Sequence, residues 1–129
     1  MMAGSAEFIA RCVAAGAELS VVSHKGRFAA LDPGGTDLRD AARAWLARHC
    51  REIPGSRIFF EDERAAKLRR IGTLGLTHFI DDLPEVLGDP DFPAAVTRLW
   101  LVGAPGRTCP PGIAAAGPWP TLSRAVFEA

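Results

Sequence analysis

The stretch THFIDDLPEVL, residues 77–87, places two adjacent carboxylates between a short apolar run and a Leu-Pro pair. Residues 78–80 are typical of a buried strand, and residues 83–87 of a short helix with proline in its first turn. Two like charges side by side raise the pKa of one carboxyl unless a cation lies nearby. Asp81 and Asp82 therefore favour a cation site, with Mg²⁺ as the first choice. The alternative is that Asp81 ends the strand and Asp82 caps the helix.

Strands and helices alternate along the rest of the chain, which favours one α/β domain over residues 1–129 with a mostly parallel sheet, because parallel strands need crossover helices. Residues 103–120, rich in Gly, Pro and Ala, are predicted to be an irregular loop. Ser5 is expected to cap the first helix, and Trp45 and Trp100 are expected in the core. The predicted helices are 5–15, 37–49, 61–73, 83–87 and 121–128, and the predicted strands are 18–23, 57–60, 78–80 and 98–102.

Composition excludes several classes of partner. The chain has 129 residues, with 15 Lys and Arg against 15 Asp and Glu, so no charge excess predicts a nucleic acid or an anionic membrane. No apolar run approaches the ~20 residues of a membrane span. The cysteines Cys12, Cys50 and Cys109 are far apart and form no CxxC pair. We expect reduced thiols and a cytoplasmic location.

Polar residues follow three of the predicted strands, at the point where ligands bind in parallel α/β sheets. Ser23 offers a hydroxyl and a backbone N–H to a phosphate oxygen, and His24 can add charge to the same anion. The alternative for both is an ordinary solvated turn. The polar residues that follow the first three strands are Ser23, His24 and Lys25, then Glu61 and Asp62, then Asp81 and Asp82.

Lys67 is expected on the inner face of its helix, because it shares that face with Ile71 and Leu74. An inward lysine is unusual unless its stem snorkels to water or its ammonium reaches a buried anion. Lys67 is therefore a candidate phosphate-binding residue alongside Ser23 and His24.

Taken in chain order, the segments around Ser23, Lys67 and the two aspartates resemble motifs of the haloacid dehalogenase-like (HAD) superfamily of phosphohydrolases. ELSVVSHK, with Ser23, resembles the second motif; EDERAAKLRRIG, with Lys67, the third; and THFIDD, with Asp81 and Asp82, the fourth. The resemblance covers about residues 5–102, and the fourth motif is its most specific part. No inserted domain separates the motifs, as in the capless or small-cap branch. The resemblance implies a Rossmann-like core that hydrolyses phosphomonoesters with Mg²⁺ held by the two aspartates.

The family's DxDxT or DxDxS nucleophile motif is missing from this sequence. Before Ser23 the acidic residues are Glu7 and Glu18, and neither ends a strand. The resemblance implies that the chain is N-terminally truncated relative to the family, and that a central strand is absent between those ending at Ser23 and Ile80. Those two strands either close up on each other, or another chain supplies the strand, or the protein is incomplete.

Two functions therefore remain open. The first is a HAD-like phosphohydrolase domain that binds a small phosphorylated ligand but is inactive as this chain alone. The second is a non-catalytic HAD-like binding or scaffold module, which associates through exposed strand edges as a homodimer or with a partner chain.

Overall fold

The computed structural model describes residues 4–24, 38–102 and 109–128, and the side chains of His24, Leu38 and Arg39 lie outside that description. Within these ranges strands and helices alternate except at the last two strands, which follow one another with no described helix between them, and none of the helices is long and apolar enough to cross a membrane. The helices are α1 (Ser5–Ala14), α2 (Leu38–His49), α3 (Arg64–Thr73), α4 (Pro84–Leu87) and α5 (Trp119–Phe127). The strands are β1 (Val21–His24), β2 (Ile58–Glu61), β3 (His78–Asp81), β4 (Thr97–Leu101) and β5 (Ile113–Gly117).

The fold is α/β, and every strand pair described is parallel, as the alternation of elements predicts. The strands form two small sheets rather than one: β1 pairs with β2, while β3, β4 and β5 form a second sheet in that order. Among the described residues β1 and β3 do not pair with each other. Of the three alternatives for these strands, the one in which they close up on each other is therefore wrong for the described chain.

Helix α3 holds the two sheets together. It packs against β1 and β2, and its buried residues Leu68 and Ile71 share one core cluster with Val22 of β1 and Phe79 of β3. The helix also contacts the carboxyl ends of strands from both sheets, through an Arg70–Glu61 pair and a Lys67–Asp81 pair. The carboxyl ends of β2 and β3 therefore lie on the same side of the molecule.

The predicted loop over residues 103–120 is wrong at its carboxyl half. Residues 103–108 lie outside the described chain, but Ile113–Gly117 forms β5 along β4. Alanine and glycine have low strand propensity, so the segment IAAAG carries little strand signal of its own. Small residues nevertheless suit the position, since Ala116 lies opposite the buried Trp100 in the ladder.

Two local predictions also need correction. Ser5 lies inside α1 and does not cap it; Gly4 holds the cap position at a φ of 88°, with no side-chain cap hydrogen bond. Trp45 is 44% exposed rather than in the core, and its ring packs on His49 one turn along the same helix, with ring centroids 4.7 Å apart. Trp100 is 2% exposed, which confirms its predicted place in the core.

Truncation of Ile71 tests the bridging role of α3. Ile71 is 0% exposed, so Ile71→Ala leaves a cavity under both sheets and should lower the free energy of unfolding by about 2–5 kcal/mol in urea denaturation. Val13→Ala is the control, since Val13 is 51% exposed and its truncation should change stability by only about 0.5 kcal/mol. Equal effects of the two substitutions would show that α3 does not pack as described.

Candidate functional site

The centre of the site is a buried ion pair between α3 and the end of β3. The Nζ of Lys67 donates a hydrogen bond to Oδ2 of Asp81 at 2.7 Å, and the two side chains are only 6% and 7% exposed. The ammonium also lies 5.6 Å from the centre of the Phe79 ring. Lys67 therefore faces inward, as its helical spacing predicts, and the anion that it reaches in this structure is Asp81.

Asp81 uses its second carboxylate oxygen to hold the turn into α4. Its Oδ1 accepts a hydrogen bond from the backbone N–H of Leu83 at 2.9 Å, the arrangement of an aspartate that stabilises a turn two residues ahead. Leu83 is the N-cap residue of α4, and no side-chain cap hydrogen bond is formed there. The expectation that Asp82 caps this helix is therefore wrong, because Asp81 serves the turn from one residue further back.

Asp82 is the exposed member of the pair. Its backbone carbonyl accepts a hydrogen bond from the indole Nε1 of the buried Trp100 at 3.2 Å, which holds the residue in place and leaves the carboxylate at the surface. Partial desolvation raises the pKa of Asp82, and a hydrogen bond with Asp81 and the charge of Asp81 raise it further. One carboxyl of the pair thus has the raised pKa that the sequence predicts.

Ser23 and His24 end β1 on the neighbouring sheet. In the β1–β2 ladder Ser23 lies opposite Phe60 and His24 opposite Glu61, so both are at the edge where β2 also ends. No hydrogen bond between the Ser23 hydroxyl and Lys67 or either aspartate is found in the described structure. The side chain of His24 lies outside the described residues, so its predicted phosphate contact stays a prediction.

The aspartates fit Mg²⁺ only in part. Within residues 4–24, 38–102 and 109–128, no three His, Cys, Asp or Glu side chains gather in a way that could hold a metal ion. Both carboxylate oxygens of Asp81 already accept a hydrogen bond, and the exposed carboxyl of Asp82 is itself hydrogen-bonded to Asp81. Mg²⁺ retains several waters and often takes phosphate oxygens beside one or two carboxylates. This pair alone would therefore bind it weakly.

Two contributors to the site were not predicted from the sequence. Trp100 was expected only as a core residue, yet its indole N–H orients the backbone of Asp82. The backbone N–H of Leu83, which donates to Asp81, cannot be predicted from the identity of the Leu83 side chain. A Leu-Pro pair two residues after an aspartate is the one local pattern that could have indicated this turn.

When the chain is compared with known proteins, no family model, no curated protein and no solved structure matches it.

Removing one partner of the buried ion pair should be costly. Lys67→Met keeps the aliphatic stem but leaves the charge of Asp81 buried, and should destabilise the fold by about 3–5 kcal/mol in urea denaturation. Arg70→Met is the matched control on the same helix, because Arg70 is 41% exposed in its pair with Glu61, and it should cost about 0–1 kcal/mol.

A double-mutant cycle then separates this pair from general packing. Lys67→Met combined with Asp81→Asn should cost less than the sum of the two single substitutions, because the double variant no longer buries an unpaired charge. Strictly additive losses would contradict a direct interaction.

Asp82→Asn tests the raised pKa of Asp82. A carboxyl whose pKa is higher in the folded state than its ordinary 3.8 destabilises the fold once it is ionised. We expect Asp82→Asn to raise the urea midpoint slightly at pH 7, and this gain should vanish as the pH falls below 3.8. Asp91→Asn, at an exposed aspartate outside the pair, is the control and should show no such gain. A loss of stability at pH 7 in Asp82→Asn would contradict the assignment.

Proposed function

We propose that this chain is a HAD-like phosphohydrolase domain that binds a small phosphorylated ligand with Mg²⁺ but does not hydrolyse it alone. The observation that carries the proposal is the buried Lys67–Asp81 pair at the carboxyl end of β3, on the side where β2 also ends. Stability alone does not explain a buried lysine–aspartate pair at such an edge. An apolar pair of similar volume is often at least as stable.

The proposed roles follow from what each group has available. The ammonium of Lys67 has three donors and uses one on Asp81, so it can also donate to a phosphoryl oxygen. The hydroxyl of Ser23, at the end of β1, would hold the same group from the other sheet. Asp82, the exposed carboxylate of the pair, would be the protein ligand of Mg²⁺, which supplies positive charge to neutralise the phosphate.

The chain would not form an aspartyl-phosphate. The sequence has no DxDxT or DxDxS motif, and Asp81, the carboxylate that is hydrogen-bonded to Lys67, also holds the turn through the Leu83 N–H. On the neighbouring strand, Glu61 accepts a hydrogen bond from Arg70 at 2.9 Å.

The proposed location of the protein is the cytoplasm. The cysteines Cys12, Cys50 and Cys109 are free thiols, which agrees with this location.

Binding is best tested by NMR, with MgCl₂ and inorganic phosphate added separately and then together. The indole N–H of Trp100 and the amide of Leu83 are the reporters, because they donate to Asp82 and Asp81 respectively. We expect both signals to shift in a saturable way only when both ions are present. Asp82→Asn should abolish the shift, and Asp91→Asn should retain it. If neither reporter responds in the unaltered protein, the proposed site is wrong.

Turnover is tested separately with p-nitrophenyl phosphate and Mg²⁺. We expect no hydrolysis above the rate of buffer with Mg²⁺. Hydrolysis that requires Mg²⁺ and is abolished by Asp81→Asn would contradict the proposal that the chain is inactive alone, while leaving the binding site in place.

A further inference from the structure

Arg64 is a second cation beside the Lys67–Asp81 pair. It precedes Lys67 by three residues in α3, and side chains three residues apart lie on the same face of a helix, with about 5–6 Å between their Cβ atoms. α3 begins three residues after β2 ends at Glu61, so Arg64 is in the turn of the helix nearest to the carboxyl end of β2. Arg64 therefore lies at the outer edge of the candidate site, on the face that carries Lys67.

The guanidinium of Arg64 is only loosely paired. Its Nη1 lies 3.8 Å from Oδ2 of Asp89, which is longer than the about 2.7–2.9 Å of a charge-assisted hydrogen bond. The two other cations at this spacing on α3, Lys67 and Arg70, donate to carboxylates at 2.7 and 2.9 Å. No hydrogen bond of Arg64 is found in the described part of the chain, and its side chain is 49% exposed. Its donors are therefore available to a ligand.

Asp89 does not depend on Arg64 for its position. Its Oδ1 accepts a hydrogen bond from the backbone N–H of Asp91 at 2.9 Å, which holds a turn two residues ahead. The Asp89 side chain is 18% exposed, so the turn lies close against the protein. Arg64 can therefore exchange Asp89 for another anion without loss of the hydrogen bond that holds this turn.

Arg64 and Lys67 reach toward different places. Lys67 donates to Asp81 before α4 begins, whereas Arg64 lies closest to Asp89, after α4 ends. A phosphoryl group held by Lys67 and by Mg²⁺ on Asp82 would thus have Arg64 to one side of it. A ligand with a second anionic group on that side could use both cations at once.

A purely structural role explains Arg64 less well. An ion pair that is half exposed and longer than a hydrogen bond contributes little to stability. The planar guanidinium instead has the fork of donors that matches a phosphate or a carboxylate with two hydrogen bonds, which an ammonium does not have.

We propose that Arg64 binds a second anionic group of the ligand, a phosphate or a carboxylate attached next to the phosphoryl group at Lys67. The preferred ligand is then a diphosphate or a phosphorylated carboxylate rather than a simple monophosphate. Asp89 competes with the ligand for Arg64 and so limits the binding of weaker anions. This inference rests on the proposed function, because it extends the same phosphate site.

NMR titrations of the unaltered protein give the first test. Inorganic phosphate, pyrophosphate and phosphonoacetate are each added with MgCl₂, and the Trp100 indole and Leu83 amide again report on the aspartates. The Nε–H signal of Arg64 reports on the second group. We expect the Arg64 signal to shift with pyrophosphate or phosphonoacetate and not with phosphate.

Arg64→Met removes the guanidinium from an exposed position. We expect it to raise the dissociation constant of pyrophosphate or phosphonoacetate, relative to that of phosphate, by about tenfold, the loss of one charge-assisted hydrogen bond. Arg69→Met is the matched control, because Arg69 is exposed on the same helix and lies two residues from Lys67, on the opposite side. It should leave this ratio unchanged.

Asp89→Asn tests the competition from the other direction. The amide oxygen of asparagine can still accept the Asp91 N–H, but the side chain no longer attracts Arg64 by charge. We expect pyrophosphate and phosphonoacetate to bind more tightly to this variant, with a smaller gain for phosphate. An equal gain for all three anions would contradict the competition and overturn the inference.

The outcomes separate this inference from the proposed function. If Arg64→Met weakens all three anions equally, or none of them, the second group is not bound by Arg64 and the inference is wrong. The proposed function then still stands if phosphate with Mg²⁺ shifts the Trp100 and Leu83 signals. If no anion shifts them, both are wrong. A response to pyrophosphate alone identifies the second group as a phosphate, and a response to phosphonoacetate alone as a carboxylate; each supports the inference.

Discussion

The union of two separate sheets by one helix is the constraint on which the rest of the molecule depends. The sheets share no ladder among the described residues, so they are joined by side-chain contacts, above all those of α3. Ile71 and Leu68 supply the apolar part of this contact, and the Lys67–Asp81 pair supplies the polar part. A buried ion pair tolerates little displacement, because separating the charges leaves each one desolvated and unpaired. The pair therefore positions β3 relative to α3 as well as forming the candidate site.

The same pair determines which chemistry the site has left to offer. Each carboxylate oxygen of Asp81 accepts a hydrogen bond, Asp82 is the exposed carboxyl of the pair, and a ligand anion must share Lys67 with Asp81. Such sharing favours a ligand that brings its own cation, because the cation offsets the repulsion between the ligand and the carboxylates. This is why we propose that phosphate and Mg²⁺ bind together.

Much of the fold could be predicted from local sequence patterns. The alternation of short apolar runs with amphipathic segments was sufficient for the order of elements from α1 to β4 and for parallel pairing. Failures occurred where distant contacts override local propensity. The segment Ile113–Gly117 becomes a strand because β4 presents an edge that accepts small residues. Trp45 packs on its own helix, although helical spacing alone placed it in the core.

For the candidate site, the sequence alone is enough to place Ser23, Asp81 and Asp82 at strand ends and Lys67 on an inward helix face, because strand length and helical period are local properties. Tertiary structure decided the partners: Lys67 with Asp81, the Leu83 N–H with the same carboxylate, and Trp100 with the backbone of Asp82. It also decided that β1 and β3 stay apart with a groove between them. These features depend on contacts between residues far apart in the chain, which no local period encodes.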